Sequence, residues 1–126
     1  MSGYSFVLKG VWFRMIADGV KKEEYRNITS YWLQRLFGVY EERNGFQDLY
    51  SIKKKEAEEW CSDVPKLREA IRSGKLRPLF KCGTFYHGYA TDRPRFEKEI
   101  PNITIGFGNP EWGAEWGKLY FVIGLV

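Results

Sequence analysis

The stretch Gly19-Val20-Lys21-Lys22-Glu23-Glu24-Tyr25-Arg26 decides how the rest of the chain is read. Before it, Trp12, Phe13, Ile16 and Val20 recur at helical spacing, which predicts a short helix over about 10–18. Gly19 is placed to end that helix in a left-handed conformation. From Lys21 to Asn27 the chain is too charged for a core strand, so a strand with one wet face is expected. On such a strand Glu24 and Arg26, two residues apart, share a face, and Tyr25 points the other way toward a core.

Working outward, Tyr4–Leu8 is a short apolar run suited to open a sheet. Thr29 or Ser30 can cap a second helix carrying Trp32, Leu33, Leu36 and Phe37 on one side, with Gly38 at its end. Residues 39–51 have no clear period and read as loop. Lys53–Trp60 is a charge-laced helical stretch. Ser62 or Asp63 caps a further helix with Pro65 in its first turn, Val64, Leu67 and Ile71 on one face and Gly74 closing it. Between Lys53 and Lys75 five acids offset seven bases, so these helices present a solvated face.

The last third changes character. Leu79–Tyr89, Arg95–Ile100, Ile103–Phe107 and Lys118–Val126 read as strands. Ile103, Ile105 and Phe107 alternate as a half-buried strand does, and Leu119–Val126 is nearly continuous in apolar residues, as in a strand covered on both faces. Gly106, Gly108 and Asn109-Pro110 interrupt the run where a closed sheet would bend. Helices early and strands late predict an α+β domain with a mostly antiparallel, closed sheet. At 126 residues a single domain is expected.

Composition narrows function without fixing it. The net charge is +4, from 20 basic and 16 acidic side chains, which favours an anionic partner such as RNA. Aromatic residues make up 17%, more than a core of this size requires, so some rings are available to a binding surface. Two cysteines, Cys61 and Cys82, with one histidine, His87, have no zinc-ligand spacing, and no metal or other cofactor is expected. The first residues have no signal-peptide pattern and no apolar run approaches the ~20 residues of a membrane span. A cytoplasmic protein with free thiols and no membrane partner is the expectation; oligomeric state is left open.

The octapeptide matches Gly-x-Lys-x-x-Glu-x-Arg at every fixed position, after a helix and at the entry to a strand. In this it resembles the signature of ASCH domains, which are relatives of the PUA RNA-binding fold. Val7-Leu8-Lys9 looks like that family's opening strand. The segment from Gly106 through Asn109-Pro110-Glu111-Trp112 to Glu115, followed by Leu119-Tyr-Phe-Val-Ile, is similar to bacterial and phage members. Residues 38–75 carry no family motif and look like a helical insertion. The resemblance implies a PUA-like β-barrel with a cleft beside the octapeptide, and RNA or a nucleoside or nucleotide as ligand. One branch hydrolyses acetylated cytidine nucleosides with a lysine at the position of Lys21, a threonine at that of Glu24 and a glutamate from a later strand. This chain departs from that branch at Glu24.

These readings name the candidate residues. Lys9, Lys21, Lys22 and Arg26 would hold a phosphate backbone, and Glu24 would accept a hydrogen bond from a base amine. Trp12, Tyr86, Tyr89 and Trp112 are the rings to test as stacking platforms, though packing competes for each. If the chain is an enzyme, a hydrolase of a modified nucleoside or of RNA, Lys21 and Glu24 are its catalytic candidates. A carboxylate so near Lys21 favours the ammonium and hence binding. His87 is a weaker candidate base and Glu115 a second carboxylate. A third reading makes the chain a protein-interaction module through its inserted helices.

Overall fold

The computed structural model describes residues 3–89 and 92–126. It is α+β: nine strands in three three-stranded sheets, four helices and one 3-10 turn. The described chain divides into two compact units. One is formed by the segments up to Tyr25 and from Phe80; the other is the continuous segment Arg26–Leu79.

In the first unit, β1 (Tyr4–Leu8), β6 (Cys82–His87) and β7 (Arg95–Glu99) form one sheet. β1 runs parallel to β6 with Phe6 opposite Phe85, and β7 runs antiparallel with Phe96 opposite Phe85. Alternation puts Phe6, Leu8 and Phe85 on the inner face, and Phe85 stacks on both Phe6 and Phe96. The helix α1 (Gly10–Ala17) follows β1 and buries Phe13 and Ile16. A second sheet holds β2 (Glu23–Asn27), β9 (Leu119–Gly124) and β8 (Ile103–Phe107), with β9 in the middle. That position explains its apolar run: Tyr120–Ile123 are buried in succession. Ile103 and Ile105 of β8 are buried while Thr104 and Phe107 are exposed, so the alternation holds along the strand until its end.

The second unit combines α2 (Ser30–Leu36), β3 (Phe37–Arg43), β4 (Phe46–Ser51), α3 (Lys54–Cys61), α4 (Val64–Ser73) and β5 (Leu76–Pro78). Thr29 caps α2 by accepting from Trp32 N, and Asp63 caps α4 by accepting from Lys66 N. Gly74 ends α4 at φ 85°. Leu33, Leu36, Phe37 and Leu67 are fully buried.

Three expectations are corrected. Residues 39–51 are not a loop but most of a β-hairpin, paired from Gly38↔Ser51 to Arg43↔Phe46. Only the start of β3 is buried and β4 is exposed apart from half-buried Leu49 and Tyr50, so no apolar alternation marks them. Their signal is the turn: Asn44 at φ 52° and Gly45 at φ 83°, the two left-handed residues that a tight hairpin loop needs. Accordingly the segment 38–75 is not simply helical, since it contains this hairpin beside α3 and α4. Gly38 does not cap α2 either. The helix ends with Phe37 already extended, and Gly38 lies within β3, where a Cβ would stand 2.9 Å from Leu79 Cδ2 and 3.0 Å from Tyr50 O.

The β3–β4, β3–β5, β6–β7 and β8–β9 pairs are antiparallel, and β1–β6 is parallel. Among the described residues the strands pair as three separate sheets and no closed barrel is found. No helix among them is long and apolar enough to cross a membrane.

The crowding at Gly38 has a measurable consequence. Gly38→Ala is expected to destabilise the chain by about 1–3 kcal/mol, as overpacking does, read as a lower urea midpoint at unchanged slope. A midpoint at or above that of the wild type would show that the position has room.

Candidate functional site

The end of α1 sets the site. Gly19 takes φ 76°, and the amides of Val20 and Lys21 both donate to Met15 O, at 2.9 and 3.0 Å. The chain is thereby folded back under the helix, and Lys21 is turned inward instead of following its neighbour Lys22 into solvent. Lys21 is 2% exposed and Glu24 5%. They are the only charged residues buried among those described.

Lys21 Nζ donates to Glu24 Oε1 at 3.1 Å and to the carbonyl of Trp112 at 2.7 Å. It also lies 4.5 Å from the Trp12 ring centroid and 5.6 Å from that of Tyr25. Glu24 Oε1 accepts in addition from the amide of Tyr25 at 2.9 Å. No buried side-chain nitrogen or oxygen in the described residues lacks a partner. This satisfaction is what an ion pair removed from water requires, because desolvation otherwise exceeds the Coulombic gain.

Two further elements close around the pair. The 3-10 turn Pro110–Trp112 is capped by Asn109, whose side chain accepts from Glu111 N, and it delivers the Trp112 carbonyl. Gly113 follows at φ 100°, with the Trp12 ring only 3.0 Å from where its Cβ would be. Tyr25 ties this turn to β2: its hydroxyl accepts from Asn109 N at 2.9 Å and donates to Glu23 at 2.8 Å. Tyr25, Ala114, Tyr120 and Val122 form a small buried cluster against which Trp112 packs. Burial above all, and the neighbouring Glu23 and Glu24 carboxylates, push the Tyr25 phenol well above its ordinary pKa; the Asn109 amide opposes them.

Of the sequence candidates, the structure brings together Lys21, Glu24, Trp12 and Trp112. Both indoles are half-buried. Lys9 and Lys22 are exposed, Lys9 immediately before α1. Arg26 is half-buried with its guanidinium 5.0 Å from the Trp32 ring centroid. Tyr86 belongs to the β1–β6–β7 sheet and carries Arg93 over its ring at 4.0 Å, and Tyr89 is 84% exposed. His87 stacks on Phe13, with centroids 5.3 Å apart, and packs against Gly10. Glu115 is exposed and pairs with Lys118 at 3.5 Å. Sequence reading missed the Trp112 carbonyl and the Tyr25 hydroxyl as site groups. A backbone oxygen has no residue signature, and Tyr25 reads simply as core.

The described residues contain no cluster of His, Cys, Asp and Glu that could hold a metal. Both cysteines are free, and burial pushes the Cys61 thiol above its ordinary pKa, away from nucleophilic use. A carboxylate, a carbonyl oxygen and a ring face surround Lys21 Nζ. No protein-family model, curated protein or solved structure matches the chain.

Breaking the pair from either side leaves a buried charge uncompensated. Lys21→Met and Glu24→Leu are each expected to cost about 3–5 kcal/mol in urea unfolding, and the double variant much less than their sum. Additive losses would mean that the two groups act independently. For Tyr25 the folded-state pKa is raised, so its contribution is complete below the unfolded value of about 10 and is lost as pH rises past it. Between pH 8 and 12 the wild type should therefore lose stability more steeply than Tyr25→Phe; parallel profiles would contradict the assignment.

Proposed function

We propose that this chain is a binding module for RNA or a nucleotide, built around the Lys21–Glu24 pair, and that Lys21 organises the site without attacking a ligand. The observation that carries the reading is the burial of this pair beneath two half-exposed indoles. The octapeptide does not lie along the surface as a solvated charge run. It joins α1, β2 and the 109–113 turn, and presents Trp12 and Trp112 around the join.

In this reading the indole faces stack on bases, a sequence-tolerant contribution of about 1–3 kcal/mol per base. The exposed ammonium groups of Lys9 and Lys22 meet phosphates, supported by the net charge of +4. Lys21, already bound to Glu24 and Trp112 O, fixes the positions of the rings and leaves phosphate contact to its exposed neighbours. The same proposal includes the PUA-like closure of the sheets and a cytoplasmic place of work, the latter in keeping with two free cysteines.

The test is fluorescence anisotropy of a labelled single-stranded RNA at two salt concentrations. Affinity should fall steeply between 50 and 200 mM salt. It should fall at least threefold in Lys9→Ala/Lys22→Ala and about tenfold in Trp112→Ala. RNA binding that ignores salt and Trp112, or none at all, would defeat the proposal. Release of product from an acetylated nucleoside, lost in Lys21→Ala, would replace binding with hydrolysis.

A further inference from the structure

The β1–β6–β7 sheet turns its phenylalanines inward and leaves a different set of side chains on its other face. Alternation and register put Val7, Tyr86 and Arg95 in one row across the three strands, and Ser5, Thr84 and Glu97 in the next. None of the six is buried. Thr84, Tyr86, Arg95 and Glu97, together with Phe96 between the last two, line a cleft of about 420 Å3. That lies within the range of about 300–1,000 Å3 occupied by small-ligand sites.

From this we infer that the outer face of β6 and β7 is a nucleotide-binding platform, with Tyr86 stacking a base and Arg95 holding the phosphate attached to it. It rests on the reading of the chain as a nucleic-acid or nucleotide binder, but assigns a site separate from the Lys21–Glu24 pair.

The parts fit a nucleotide better than any simpler ligand. Tyr86 stands on a rigid strand whose neighbour Phe85 is fully buried, so the ring is fixed at little entropic cost. Arg93 already lies over it at 4.0 Å, which lends the ring a positive charge and covers one side; a base takes the other. Arg95 is the cross-strand partner of Tyr86, and directly opposed residues lie about 4.5–5.5 Å apart at Cβ. A guanidinium so placed reaches the phosphate of the stacked nucleotide with two parallel donors. Thr84 and Glu97, also cross-strand partners, supply a hydroxyl and a carboxylate to ribose hydroxyls or a base amine. A bare anion would have no use for Tyr86, and Glu97 would repel it.

The experiment titrates the intact chain with AMP and CMP while following backbone amide shifts by NMR, with adenosine and inorganic phosphate as controls. The expected result is saturable shifts at Thr84–His87 and Arg95–Glu97. Affinity for AMP should fall at least tenfold in Tyr86→Ala, fall several-fold in Arg95→Ala and be kept in Tyr86→Phe, which also controls for folding. Adenosine should bind at the same residues more weakly. Shifts equal with phosphate alone, shifts elsewhere, or indifference to Tyr86→Ala would overturn the platform. So would concentration-dependent self-association through β7. RNA binding that depends on Trp112 and not on Tyr86 would overturn the platform alone, whereas failure to bind RNA or any nucleotide would end both readings.

Discussion

An ammonium and a carboxylate held together out of water constrain everything near them. Lys21 and Glu24 are almost fully buried, and such a pair is tolerable only when its remaining hydrogen-bonding capacity is used. The chain satisfies this from both ends of the sequence. Glu24 accepts from its own strand at Tyr25 N, and Lys21 reaches the carbonyl of Trp112, ninety-one residues away. The left-handed turn at Gly19, the Tyr25 hydroxyl beneath Asn109 and the lack of a side chain at Gly113 all serve the same requirement. The octapeptide and the segment from Gly106 to Glu115 therefore meet at one atom, Lys21 Nζ.

That arrangement bears on chemistry as well as on folding. A lysine serves as nucleophile when its surroundings penalise the charge, by burial among apolar groups or beside another cation. Lys21 is buried, but beside a carboxylate, a carbonyl and the negative faces of two rings, all of which reward the charge. The same pair holds the Trp112 carbonyl and lies against the Trp12 ring, so both indole-bearing residues are tied to it.

Much of the local structure was legible in the sequence because it depends on single residues with one strong preference. Gly19 and Gly74 end helices, Asp63 and Thr29 begin them, and the alternation from Ile103 and the apolar run from Leu119 give a half-covered and a central strand. What was not legible depends on partners distant in sequence. The hairpin of β3 and β4 buries too little to leave a periodic trace, and only Asn44-Gly45 announces it. Gly38 has a helix-ending position in the sequence and a crowded strand position in space, where Leu79 and Tyr50 decide its identity. For the site, spacing brought Lys21 to Glu24, whereas the Trp112 carbonyl that completes the pair comes from ninety-one residues away.

The aromatic excess was the least readable feature, since composition cannot separate core rings from surface rings. The structure separates them by their companions. Phe85 stacks on both Phe6 and Phe96, whereas Trp32, Tyr31, Tyr50, Tyr40 and Tyr86 each carry a guanidinium, from Arg26, Arg35, Arg43, Arg77 and Arg93 respectively. Five arginines thus ride on rings. A flat, anionic ligand is the class that profits from this, because it gains a stacking face and a counter-charge from the same pair of side chains. A rigid-rod polyanion that tracks charge alone would gain far less, and the modest net charge of +4 gives it little else to hold. Within the proposed binding function, this distribution of arginines favours unpaired bases over duplex backbone as the contact.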